Sequence, residues 1–185
     1  EEKQSGKERV FVDLRGGGSL GMENIAGSGY GYATGLELFI ADRFSASFRF
    51  SNGLISLATP DFNSRLRSEN IQVSGTDSVS ANYFSFSSGF AYYFFKGGEI
   101  SLGASAAIVA KKLSGSLFEA PVYPAAAVEL FAWYQVFPGV DVGALGRFEY
   151  AKISQISISG SNVIFSSSKS ANEVAFMAAV RFAVL

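Results

Sequence analysis

The chain contains neither cysteine nor histidine. Without thiolate or imidazole, zinc sites built on Cys or His, haem ligation by His, cysteine nucleophiles and triads with a histidine base are all excluded. Disulfides go with them, so bridges say nothing about compartment. Proline is scarce, at four in 185 residues, and charged residues make up only 17%, where an ordinary soluble domain carries roughly 25%. The formal net charge of −1 leaves no basic footprint, so nucleic acid is not an expected partner. Uninterrupted hydrophobic runs are missing as well. Residues 78–95 carry no charge over eighteen positions, about the length of a short membrane helix. Their apolar side chains alternate, however. Phe84, Phe86, Phe90, Tyr92 and Phe94 share one parity, with Ser85, Ser87, Gly89 and Ala91 between them. Period two means a strand, and the aromatic enrichment agrees.

What the chain has in abundance is rings and small residues. Eighteen Phe, eight Tyr, one Trp and 20 Gly stand in a sequence that is 48% hydrophobic, which excludes disorder. The length suits one domain, expected over 9–185 behind an N-terminal tail, 1–8. Eight segments alternate: 9–21, 30–41, 43–56, 78–95, 99–113, 124–137, 140–153 and 171–185. Three connections are tight, at Ala41-Asp42-Arg43, Lys96-Gly97-Gly98 and Pro138-Gly139, where Gly and Pro supply turn chemistry. Four are longer, at 22–29, 57–77, 114–123 and 154–170, and hold Asn, Ser, Gly, Asp and Pro. Tight turns at one end and long loops at the other describe an up-and-down antiparallel meander. The last loop reads two ways. It is an irregular Ser-rich segment, or Ile153 to Ile158 continues as a strand and turns back through Ser159-Gly160-Ser161-Asn162 into Val163-Ile164-Phe165 as a protruding hairpin.

The apolar face falls on even positions throughout, and no charge interrupts it before Lys112 and Lys152. The odd face is small or charged. It carries Asp13, Arg15, Glu37, Arg49, Glu129, Arg147, Glu149, Glu173 and Arg181 among Ser, Gly and Ala. A soluble sandwich would turn the ring-rich face inward, and a membrane barrel would turn it outward. About fifteen Phe and Tyr lie on that face, too many for an eight-stranded interior that side chains only just fill. A soluble outer face would also show roughly 25–35% charge, and the odd face is mostly Ser, Gly and Ala. One Arg or Lys on a lipid face near the midplane costs roughly 2–4 kcal/mol, which an uncharged face avoids. Rings also gather near strand ends: Phe44, Phe94 and Phe182 by the tight turns, and Tyr30, Tyr32, Phe50, Phe84 and Tyr150 by the long loops. Amphipathic rings settle at membrane interfaces. The expected fold is all-β, an eight-stranded antiparallel up-and-down transmembrane barrel with its apolar face outward. Closure also removes free edges, which lipid requires.

From Arg9 to Leu185 this pattern of eight alternating strands, short turns, long loops and a final amphipathic strand resembles the small bacterial outer-membrane β-barrels of the OmpA/OmpX/OmpW type. The resemblance implies an outer-membrane location, termini and tight turns in the periplasm, and long loops outside. The last strand of that family is an assembly signal that usually closes on an aromatic residue. Here Val180, Phe182 and Val184 keep the alternation, and Leu185 ends the chain.

The inward charges are the polar constellation. Unpaired charges in a narrow lumen are expensive, and the Arg fork suits carboxylates. A Glu/Arg ladder that closes the lumen is therefore expected, with the polar lining of a narrow channel as the rival. Phe131 and Trp133 share the inward parity and read as packing. Gly16-Gly17-Gly18 lacks the lysine and helix of a phosphate loop, so strand bending or close packing fits it better. Small residues on the third to fifth strands leave room and keep the channel reading open. No catalytic residue, metal or cofactor is expected. Asp61, Arg65, Arg67, Glu69 and Asp77 fall in the second long loop, and Lys111, Lys112 and Glu119 about the third. The expected role is structural or surface-interacting, adhesin-like, for a monomer in outer-membrane lipid with an extracellular protein or host-surface partner. The alternative is passive passage of small polar or hydrophobic solutes, through the lumen or laterally between strands.

Overall fold

Alternating chains bury one face and present the other, and here that pattern closes on itself. The computed structural model describes residues 10–22, 27–57, 79–115, 118–158 and 161–184. These contain strands β1 (Val10–Gly21), β2 (Gly29–Ala41), β3 (Phe44–Leu57), β4 (Val79–Gly97), β5 (Ile100–Ser114), β6 (Phe118–Phe137), β7 (Val140–Ile158), β8 (Ser161–Ser170) and β9 (Glu173–Val184). Every pairing is antiparallel, in the order β6-β5-β4-β3-β2-β1-β9-β7, and a β6–β7 ladder closes the ring. Eight strands therefore form the wall. β8 is an addition that pairs with β7. Each wall strand has 12 to 20 residues, more than the roughly 9–11 that span a bilayer.

The tight turns are Asp42-Arg43, Gly98-Glu99 and Pro138-Gly139. The second lies one residue beyond the expected position, and Gly97 stays in β4. Gly98 and Gly139 have φ of +56° and +80°, the left-handed region that a Cβ disfavours. Beside each turn the ladder slips by one residue, between Phe39 and Ala41, Tyr93 and Phe95, and Gln135 and Phe137. A slip of one reverses which face a side chain takes. Phe95 and Phe137, both odd, consequently face outward beside Phe94 and Val136.

At the loop end the structure differs from the sequence expectation. The 114–123 loop is mostly strand, because β6 starts at Phe118 and β7 runs on to Ile158. Pro121 reads as a loop residue and Pro124 as the start of a strand. Both sit where β6 loses its partners, between Glu119↔Ser157 and Ala125↔Ala151. Proline has no N–H to give a ladder. The β5–β6 register slips there too, and Ala120 is buried as fully as Tyr123 is. The second reading of 154–170 holds. β7 and β8 form a hairpin, with Ile156 opposite Val163 and Lys152 opposite Ser170. The upper ends of β6, β7 and β8 thus make a wing beyond the ring. The 57–77 loop, with its five charges, lies outside the described residues from Ala58 on, as do 1–9.

Candidate functional site: the charged lumen

Odd parity places Asp13 and Arg15 on β1, Glu37 on β2, Arg49 on β3, Glu129 on β6, Arg147 and Glu149 on β7, and Glu173 and Arg181 on β9 inside the ring. All are buried except Arg147, which is partly so. Two further charges join them. Lys111, grouped by the sequence with the charges about the third long loop, is buried on β5, and Asp141 is buried one residue into β7. Both have the inward parity, which was the available signal. Their nearness to strand ends hid it.

Each buried ion costs several kcal/mol to desolvate unless it is well met by partners. Here the partners form two networks. In the larger, Arg15 grips both oxygens of Asp13, from Nε to Oδ1 at 3.1 Å and Nη2 to Oδ2 at 3.3 Å. Its Nη1 reaches across the barrel to Glu129 Oε2 at 3.0 Å. Arg49 Nε donates to Asp13 Oδ2 at 3.3 Å, its Nη1 donates to Ser47 Oγ, and Nη1 lies 3.8 Å from Glu129. Arg147 bridges Glu129 Oε1 and Glu149 Oε2, each at 2.8 Å. Lys111 Nζ then joins Glu149 at 2.9 Å to Glu173 at 3.0 Å. Four acids thus meet four bases, and the network is electrically balanced. Glu173 is held by a lysine, where the sequence pointed to an arginine.

The smaller network lies toward the tight turns. Arg181 Nε donates to Asp141 Oδ2 at 2.7 Å, and Nη1 donates to Glu37 Oε2 at 3.1 Å and to the Tyr93 hydroxyl at 2.5 Å. Tyr93 and Ser45 both donate to Glu37 Oε1, at 2.6 and 2.5 Å. The guanidinium is stacked between Phe11 and Trp133, 4.7 and 4.4 Å from the ring centroids. Phe39, Tyr93 and Phe131 complete an aromatic layer, with Tyr93 tilted against Phe39 and edge-on to Phe131. At the opposite end Ile55, Leu113, Ile153 and Ile156, each no more than 3% exposed, belong to one buried apolar cluster.

Several of the small inward residues lie under rings. Gly31 and Gly53 lie under the Tyr83 ring, Gly103 under Phe131 and Gly143 under Trp133. They are seats for rings from strands one or two places along the wall. Gly17 is likewise covered by Met177. Among the described residues a partly open pocket of about 60 Å³ lies beside Arg15, Lys111, Tyr83 and Glu173, enough for a few waters. A Gly103→Ala methyl would stand inside van der Waals contact with Phe131. It is expected to lower barrel stability by about 1–3 kcal/mol, as overpacking does. Urea midpoints of wild type and variant check this.

On the outside, Tyr30, Tyr32, Phe44, Phe50, Phe84, Phe94, Tyr150 and Phe182 are all exposed. Phe44 packs against Tyr92 at 5.2 Å, and Phe50 against Phe84 at 6.4 Å. Phe95 and Phe137 extend this outward ring at the turn end. Their odd numbers alone would not show this, because the one-residue slips beside the turns reverse the face.

No protein-family model matches the sequence, and no curated protein sequence matches it. Solved structures do. Neisserial surface protein A is 15% identical, with a TM-score of 0.58 over 95% of this chain and 96% of that one. The outer-membrane protein OprG from Pseudomonas aeruginosa is 11% identical, with a TM-score of 0.55 over 99% of both chains. At such identities the likeness is one of fold, and the fold is that of the small eight-stranded outer-membrane β-barrels, as the OmpA/OmpX/OmpW resemblance implies.

Proposed function

We propose that this chain is a bacterial outer-membrane barrel with a closed lumen that acts at the cell surface through its loop-side wing. The observation that carries the reading is the packing of side chains across the lumen at both ends. The Phe11–Tyr93–Trp133–Arg181 layer closes the turn side, and the Ile55–Leu113–Ile153–Ile156 layer closes the loop side. Between them four acids meet four bases, and the pocket beside Arg15 and Lys111 holds a few waters. The lumen network is then a structural device. Passive passage of solutes, the rival reading, would need both layers to part.

The wing supplies the interaction surface. β8 pairs with β7 along one edge, and among the described residues no strand pairs with its other edge. A free row of N–H and C=O groups takes an added strand from another polypeptide. Orientation follows the resemblance, with loops outside and termini and tight turns in the periplasm. The protein is a monomer in lipid, and the eight outward rings named above sit at the two membrane interfaces. Neisserial surface protein A, whose name places that protein at a cell surface, is consistent with this.

The test is conductance of the refolded protein in a planar bilayer, with gel mobility confirming the folded barrel. Silence is expected, and discrete reproducible openings of the wild type would establish the channel reading. A variant with 159–169 shortened is expected to keep its folded mobility and to lose attachment of expressing cells to protein-coated surfaces. Undiminished attachment would remove the wing from the proposal.

A further inference from the structure

Among the described residues, charge on the outer wall stands only at its two rims. Between the turn-side and loop-side rims, the outward positions of the described strands are apolar or small, and the first charges met on rising are Lys112 and Lys152. Both stand at the same level. Lys112 is twelve residues on from Ile100, where β5 begins, and Lys152 is twelve on from Val140, where β7 begins. At about 3.3 Å per residue and a tilt of 35–45°, twelve residues rise roughly 30 Å, the thickness of a hydrocarbon layer. Both ammonium groups therefore emerge where hydrocarbon gives way to headgroups.

The two lysines also converge. They flank a single strand, β6, whose Val122 is 65% exposed between them. Two strand spacings separate their backbones by about 10 Å, a gap that two flexible four-carbon stems span together. Lys112 has one partner, Glu119, in an exposed ion pair at 2.6 Å, of the kind that contributes little in water. Tyr150, one outward position below Lys152, puts its ring 5.9 Å from that ammonium. An apolar wall below, a ring at the boundary and two cations above match a lipid in order: acyl chain, glycerol region, phosphate.

We infer that Lys112 and Lys152 form a clamp for the phosphate of an anionic lipid at the loop-side membrane boundary. The inference rests on the barrel spanning a membrane and is independent of what the wing binds. Each lysine is expected to tighten binding about fivefold, from roughly 1 kcal/mol per basic residue near an anionic surface. Native mass spectrometry of the barrel in neutral maltoside micelles, titrated with phosphatidic acid or phosphatidylcholine, reads this directly. The wild type is expected to retain phosphatidic acid in preference. Lys112→Gln and Lys152→Gln are expected to lose about fivefold each, and Glu119→Gln, which frees Lys112, to gain. Folded gel mobility of every variant separates a lost site from a lost barrel. Equal binding by wild type and the double variant would overturn the inference. So would displacement of the lipid by inorganic phosphate at matching concentration, which would show a plain phosphate site.

Discussion

Lys111→Met is expected to lower barrel stability by about 3–5 kcal/mol, the usual loss when one partner of a buried ion pair is removed. The reason lies in the strand register. Glu149 on β7 and Glu173 on β9 are directly opposed across the ladder. Like charges in that position repel, and both side chains are buried. Lys111 Nζ sits against both carboxylates, at 2.9 and 3.0 Å, and turns a repulsive pair into a bridged one. Arg147 holds Glu149 at 2.8 Å in its own right. The unmet charge in the variant is therefore that of Glu173. Adding Glu173→Gln should recover most of the loss. Urea unfolding in lipid vesicles, followed by the shift between folded and unfolded gel bands, measures all three proteins. A Lys111→Met midpoint equal to wild type would dismiss the bridge. A double variant no better than the single one would dismiss the opposition of the two glutamates.

Arg181→Ala should be as damaging, for a different reason. Arg181 is the cation against Glu37 and Asp141 in the turn-side network, and its plane fills the slot between Phe11 and Trp133. Truncation leaves two buried carboxylates facing an emptied gap. The loss is again about 3–5 kcal/mol. Arg181→Lys should rescue poorly, because an ammonium neither forks between acceptors nor stacks on rings as guanidinium does. Trp133 is the only tryptophan and lies against the substituted group, so its fluorescence reports the unfolding midpoint and the wetting of this layer together. A midpoint within error of wild type would mean that the turn-side layer is held by its rings alone. If the layer is the seal proposed above, Arg181→Ala should also admit a small ionic leak where the wild type is silent.

The local pattern of the chain was enough for the barrel, the side that faces lipid and nine of the lumen charges. Strand parity has a period of two and needs only neighbouring residues to be read. A charge-free ring-rich face beside a small polar one has few uses other than a wall in lipid. The Gly- and Pro-containing turns set the order of strands, and antiparallel neighbours follow from short connections.

What only the tertiary structure decided are matters of distance along the chain and of interruption within it. Arg15 meets Glu129 although 114 residues separate them, because ring closure sets β1 and β6 on facing walls. No spacing in the sequence encodes that. The lumen holds two balanced or nearly balanced networks in place of one ladder, because the arginines reach the carboxylates nearest in height. Lys111 and Asp141 carry the inward parity, but only the closed ring shows that Lys111 bridges Glu149 and Glu173 and that Asp141 meets Arg181. Phe95, Phe137, Ala120 and Ile156 lie on faces opposite to simple alternation because a one-residue bulge reverses parity beyond it. Several inward glycines that read as empty space lie under Tyr83, Phe131 and Trp133. Fold and facing are local properties of a period-two chain, whereas whether the lumen is open depends on which side chains the closed ring brings together.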